Sequence, residues 1–311
     1  NIVSKLNIDN TLEEIKYIGK RTKVNKWMIC DANFGILKRD VEIAKAIRKV
    51  HDEYNYPKKC DIFLSKNTTS RNLEIAEILG DMIEACMAIQ SMEEKVLENI
   101  KRDNISSDTY FEYHEKYHSM GNSTYTDIII PLPGETFATH IKGLRKLFDM
   151  GVDNIMTHNC RMLPGSEINS SKTRKKYNFK TKYRLIHGDS GCYKSPNGKE
   201  IKSFELEESL RSTNTMSEKD LFELREIHFM IEFVWNYQIY YDLLKMAKNF
   251  KINILDVIMN FLENAKKSKK LTKFWKLFDK SSKDEWFDSY EEAQKFFFDE
   301  KNFNNLINQK Y

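Results

Sequence analysis

Residues 126–167, TDIIIPLPGETFATHIKGLRKLFDMGVDNIMTHNCRMLPGSE, read as strand, glycine turn, helix, strand and second glycine turn in one pass. The apolar, β-branched runs at 127–130 and 154–157 are short enough for buried strands, and the segment between them has helical period. This is a βα unit of the kind that surrounds a parallel sheet. Upstream, the same form predicts strands at 27–30, 61–64 and 83–89. The intervening segments carry Ile43, Ala44, Ile47 and Val50, then Leu73, Ile75, Ala76 and Leu79, so each helix lays one apolar stripe on a sheet. In a closed parallel barrel, ligands are held at the carboxyl ends of the strands, which makes the loops after these strands the candidate sites.

Downstream the composition changes. Residues 170–184, SSKTRKKYNFKTKYR, are basic and lack an apolar period, and residues 188–198, GDSGCYKSPNG, have the composition of a loop. We therefore expect three parts: a barrel-like region over 1–168, a basic connector and loop over 169–215, and a helical region over 216–311. In the last, Ser217-x-x-Asp220 resembles a capping box and opens a long helix expected to run to Lys248. Shorter helices are expected near 252–266 and 289–298. The aromatics there, including Trp275, Trp286 and Phe296 to Phe298, suit packing between helices; a substrate lid or subunit contact is the alternative.

Lys and Arg total 50 against 46 Asp and Glu, interspersed along the chain, and the formal charge of +4 gives no nucleic-acid footprint. No apolar run approaches the roughly 20 residues of a membrane span, and residues 1–10 lack a secretory apolar segment. The expectation is a cytoplasmic chain without a nucleic-acid or membrane partner. Cys30, Cys60, Cys86, Cys160 and Cys192 form neither a disulfide framework nor a CxxC metal site.

Four loops carry candidate chemistry. Asp31-Ala32-Asn33-Phe34-Gly35 follows a strand; Asp31 and Asn33 can bind the ammonium group and polar edge of an amino-acid ligand, or simply close an Asx turn. Ser65-Lys66-Asn67 offers a hydroxyl, a cation and an amide to a ribose or carboxylate. Gln90-Ser91 ends an apolar run before a helical segment at 92–102, where Ser91 can cap the helix with Glu94 and still touch a ligand. Arg102, at the far end, is a candidate partner for a carboxylate. In the fourth loop, Gly134 permits an otherwise strained turn, and Glu135 lies where a helix N-terminus favours negative charge.

Taken in order, the DANFG loop, the Gln-Ser helix, LPGET and LPGSE resemble the radical S-adenosylmethionine (SAM) superfamily, above all its members with an N-terminal cobalamin-binding domain. The resemblance covers roughly the first 170 residues. It implies an α/β fold, an incomplete (β/α)6 partial barrel with a mostly helical C-terminal extension. It also implies SAM binding at Asp31, Asn33, Ser65, Asn67, Gln90, Ser91, Arg102, Gly134 and Glu135. Pro131 stands where the family more usually has glycine.

The family's CxxxCxxC loop, whose three thiolates hold a [4Fe–4S] cluster, has no counterpart in these residues. One expectation is that the first strand and cluster loop belong to a segment before Asn1, with residues 10–21 forming the helix ahead of the second strand from a start at Thr11-x-x-Glu14. The chain is then a fragment of an enzyme that cleaves SAM for radical chemistry on an unknown substrate. Such an enzyme takes an electron from a donor, with cobalamin-dependent methyl transfer if an upstream domain binds cobalamin. The alternatives are a cluster-free binding or scaffold protein on a degenerate barrel, and an unrelated barrel lyase or aldolase using Lys66 or Glu135.

Overall fold

The computed structural model describes residues 4–65, 70–86, 89–102 and 107–308. The chain divides into two compact units, one made of Asn1–Gln90, Asp103–Ile128 and Lys146–Met156, the other of Ser91–Arg102, Ile129–Arg145 and Thr157–Tyr311. The chain is α/β.

The first unit begins with α1 (Ile8–Arg21), β1 (Lys26–Phe34), α2 (Asp40–Tyr54), β2 (Lys59–Leu64) and α3 (Ser70–Leu79), followed by β3 (Ala85–Cys86). β1 and β2 pair in parallel, with Trp27 opposite Cys60 and Ile29 opposite Ile62. The helix α1 starts earlier than Thr11, because the Asn7 side chain accepts hydrogen bonds from the Asp9 and Asn10 amides. It packs on α2 at Gly19, where an added Cβ would lie 2.3 Å from Val50 Cγ1. Ile43, Ala44, Ile47 and Val50 of α2 and Ile75, Ala76 and Leu79 of α3 are buried, as their spacing requires. The unit also contains α5 (Ser107–Ser119) and shares β4 (Thr124–Ile130), α6 (Phe137–Asp149) and β5 (Asn154–Asn159) with the second unit.

β3, β4 and β5 form a three-stranded sheet in that order, with β3 parallel to β4. Among the described residues, the predicted parallel strands therefore form two separate sheets, and no pairing of β2 with β3 closes them into one arc.

The second unit contains α4 (Glu94–Asn99), α7 (Ser171–Lys176) and a long antiparallel hairpin of β6 (Lys180–Lys194) and β7 (Glu200–Ser212). The hairpin corrects the expected basic connector and loop. Lys180, Lys182 and Arg184 are charged residues on a strand, and partners opposite or nearby make that arrangement stable: Arg184 bonds Glu207, while Arg174 makes two contacts to Glu208. A charge-rich strand shows no apolar alternation, so its sequence reads as loop.

The helical region holds α8 (Glu218–Ile231), α9 (Tyr241–Asn249), α10 (Ile254–Lys267), α11 (Thr272–Asp284), α12 (Tyr290–Phe298) and α13 (Glu300–Ile307). The capping box at Ser217 and Asp220 is present, with Asp220 Oδ2 accepting from the Ser217 amide at 2.8 Å. The expected continuous helix to Lys248 instead ends in a π turn over Glu232–Asn236, after which Gln238 takes φ +58°. Trp235, fully buried and tilted on Tyr241 at 4.5 Å, lies within this turn. Phe204 of the hairpin meets Phe297 and Phe298, so the terminal aromatics serve packing. No helix among the described residues is long and apolar enough to cross a membrane.

Candidate functional site

In the second unit the LPGET turn follows β4 and is built around Glu135. Gly134 adopts φ +86°, and a Cβ there would sit 2.6 Å from Asn99 Nδ2, whose amide donates to the Pro133 carbonyl at 2.9 Å. Asn99 in turn accepts from the Tyr177 hydroxyl at 3.0 Å. The glycine is therefore required both by its backbone angle and by the close approach of α4.

Glu135 is 3 % exposed, a low value for an ionisable side chain, and it is fully engaged. Oε2 accepts from the Leu132 amide at 3.3 Å, and Oε1 lies 3.1 Å from His140 Nδ1. His140 Nε2 lies 2.9 Å from His228 Nε2 on α8. A carboxylate only accepts, so His140 donates its Nδ1–H to Glu135. With both rings neutral, His228 donates Nε2–H to the remaining nitrogen of His140. Burial first, and the neighbouring His140 second, hold His228 well below the usual histidine range. The Thr215 hydroxyl donates to the Glu135 carbonyl at 2.7 Å. Rather than facing outward from a helix N-terminus, Glu135 points into its own unit and fixes the turn.

Cys160 lies in a buried apolar cluster with Val96, Leu132, Met162 and Leu210. Burial, reinforced by the Glu135 charge, pushes its thiol up to about 12. Its backbone continues the framework, with the Cys160 amide donating to Ile130 and its carbonyl accepting from Leu210. The LPGSE turn is closed locally by Ser166 Oγ–H on the Leu163 carbonyl at 2.7 Å, while Glu167 pairs with Lys101 at the surface.

Ser91 is buried, and its hydroxyl accepts from the Glu93 amide at 3.3 Å. It does not cap α4; Glu93, two residues further on, occupies that position. Arg102 ends the passage after α4, its amide donating to the Leu97 carbonyl at 3.0 Å.

In the first unit, Asp31 and Asn33 are exposed at the end of β1, and Asp31 Oδ1 accepts from the Asn33 amide at 2.8 Å, forming the Asx turn. Beyond it, the Asp40 carboxylate accepts from the Gly35 and Leu37 amides, both at 2.9 Å. Arg71 donates to the Gly35 and Ile36 carbonyls. The loop is thus held from behind while its two polar side chains stay at the surface. Ser65 is buried and engaged by Asn72, whose Nδ2 donates to the Ser65 carbonyl at 3.0 Å. Gln90 is partly buried. Lys66 and Asn67 lie outside the described residues.

Asn72, Asn99, His140, Thr215 and His228 were not legible as site residues. Asn72 and Asn99 act through backbone atoms, and His228 meets His140 across 88 residues of sequence. No local pattern announces either arrangement.

No protein-family model matches the chain. Over 173 residues it is 31 % identical to the cobalamin-dependent radical SAM methyltransferase TokK of Streptomyces tokunonensis. About half of the chain is therefore similar to a stretch of a radical SAM methyltransferase. A 2-(S-pantetheinyl)-carbapenam-3-carboxylate methyltransferase of Streptantibioticus cattleyicolor matches at the same identity over the same length. In both cases the match takes in 54 % of this chain and only 25 % of the relative, so the chain spans about a quarter of the length of these relatives. Among solved structures, coproporphyrinogen III oxidase HemN of Escherichia coli, a radical SAM enzyme, is 17 % identical with a TM-score of 0.42, over 50 % of this chain and 37 % of that one. The radical SAM methyltransferase TsrM of Kitasatospora setae, with cobalamin and a [4Fe–4S] cluster bound, is 10 % identical with a TM-score of 0.42, over 50 % and 30 %.

The thiols described here do not fit such a cluster. Cys60 and Cys160 are buried, with burial pushing each up to about 12, and Cys30 and Cys192 are exposed. A cluster needs neighbouring thiolates, and among the described residues no group of three cysteines comes together.

Proposed function

We propose that this chain is the SAM-binding and structural portion of a cobalamin-dependent radical SAM methyltransferase whose cluster thiolates are supplied by residues outside these 311. The 31 % identity over 173 residues to TokK carries this reading. In it, Asp31 and Asn33 receive the SAM amino group, which suits an exposed carboxylate and amide on a braced loop. Ser65, Asn67, Gln90, Ser91 and Arg102 are assigned to SAM's remaining polar groups by the resemblance. Gly134 allows the turn beside the ligand, and Glu135 is a positioning residue that holds this turn through Leu132 and His140. Bound SAM supplies the carbon–sulfur bond that is cleaved; cobalamin, carried by a separate domain of the intact protein, supplies methyl transfer. The substrate is unassigned, and the intact enzyme takes its electron from a donor.

The 311 residues alone are then expected to bind SAM without cleaving it. Equilibrium dialysis with radiolabelled SAM should give one site per chain, weakened about tenfold by Asp31→Ala, the loss of one charge-assisted contact of about 1.4 kcal/mol. Binding undiminished in both Asp31→Ala and Asn33→Ala would refute the assignment. Deoxyadenosine formed by the purified 311-residue chain after iron and sulfide reconstitution would refute the claim that its thiols cannot carry the cluster. Absence of SAM binding in the intact protein would favour a scaffold on a degenerate barrel.

A further inference from the structure

The first unit contains a second cluster of ligating side chains that the SAM reading does not use. His114 and His118 are four residues apart on α5, so both rings project from one helical face. Their centroids lie 4.1 Å apart. Asp153, in the turn between α6 and β5, is buried, and its Oδ2 lies 2.6 Å from His118 Nε2. One ligand atom from each of the three residues falls within 4.8 Å of the other two.

The surroundings orient these groups as the outer partners of a metal site do. Thr124, fully buried on β4, donates its amide to Asp153 Oδ2 at 2.9 Å and its hydroxyl to the same oxygen at 3.1 Å. A hydroxyl has one hydrogen, so Thr124 Oγ1 can only accept from His114 Nδ1, 3.0 Å away. That puts the His114 ring proton on Nδ1 and its lone pair on Nε2. Thr124 thereby holds one histidine and the carboxylate together, the arrangement by which outer hydrogen bonds set imidazole ligands. Gly151, at φ +83°, faces this nitrogen; a Cβ there would lie 3.2 Å from His114 Nε2. The glycine keeps a side chain off the ligand atom.

We propose that His114, His118 and Asp153 bind one divalent first-row transition ion, Zn2+ foremost. Two imidazoles and one carboxylate make a borderline donor set suited to zinc and its neighbours rather than to magnesium or calcium, with water completing the coordination. The ion takes the place of the hydrogen that His118 Nε2 and Asp153 Oδ2 now share. Zinc–ligand bonds of about 2.0–2.2 Å put tetrahedral ligand atoms about 3.4 Å apart. Ligand atoms within 4.8 Å therefore reach that spacing by side-chain rotation. This site is independent of the SAM assignment and of the cluster thiolates.

The test uses the full 311-residue chain stripped with chelator, titrated with Co2+ by visible absorption and with Zn2+ by calorimetry. One equivalent should bind, with Mg2+ failing to displace it. His118→Gln should weaken Zn2+ at least tenfold; that side chain is 39 % exposed, so its loss leaves the fold intact. Thr124→Val should weaken it about 10- to 100-fold through the lost outer hydrogen bonds. A Cys30→Ser, Cys192→Ser double variant, which removes the exposed thiols, should bind as the parent does. No Zn2+ binding by the parent, or Zn2+ bound as tightly by His118→Gln, would overturn the proposal, as would loss of binding in the cysteine variant.

Discussion

Replacing His228 by Gln should remove a defined part of the acid sensitivity of this protein. In the folded chain, burial and the adjacent His140 hold His228 well below the usual value, whereas in the unfolded chain it titrates near 6.5. Below about pH 6.5 the unfolded state gains a proton that the folded state refuses, so stability falls as the pH falls. The contribution is fully present above that value. The magnitude follows from the unfolded state alone: RT ln(1 + 10) is about 1.4 kcal/mol of stability lost between pH 7.5 and 5.5. Glutamine keeps a donor for His140 Nε2 and does not titrate over this range, so the variant should lose about 1.4 kcal/mol less across the same interval. The assay is urea unfolding of parent and variant at closely spaced pH values between 5.5 and 7.5, with stability obtained by linear extrapolation. Identical pH slopes in parent and variant would refute the reasoning, since His228 would then accept its proton as readily folded as unfolded.

Gly134→Ala should cost about 1–3 kcal/mol in the same unfolding assay, because alanine is strained at φ +86° and its Cβ would displace Asn99 from the Pro133 carbonyl. A cost below about 0.5 kcal/mol would mean that the turn relaxes freely. Iodoacetamide at pH 8 should label Cys30 and Cys192 in the native protein, while Cys60 and Cys160, buried and pushed up to about 12, should react only in denaturant. Peptide mass spectrometry reads the order of labelling; early modification of Cys160 would contradict its place in the apolar cluster.

The βα passage over 126–167 was legible because both of its periods are local: β-branched runs for β4 and β5, and an apolar stripe for α6. The turn at Gly134 was legible for a similar reason, since positive φ selects glycine whatever the fold. The same held for the Ser217–Asp220 cap, whose bonds span three residues. The β6–β7 hairpin was not, because the pairs that stabilise its charges, Arg184 with Glu207 across the two strands and Glu208 with Arg174 of α7, join residues 23 and 34 apart in sequence. Likewise, α8 ends in a π turn that holds the buried Trp235, which helix propensity does not encode.

The candidate sites divide along the same line. The sequence by itself determined which side chains stand beside strand ends, including Asp31, Asn33, Ser65 and Glu135, because these follow from the apolar runs that mark the strands. Only the tertiary structure decided what those groups do. It turned Glu135 inward onto His140 and His228, left Asp31 and Asn33 at the surface, and brought Asp153 to His118 from 35 residues away. Hydrogen bonds and burial depend on distance in space, which chain position leaves open until the backbone has folded.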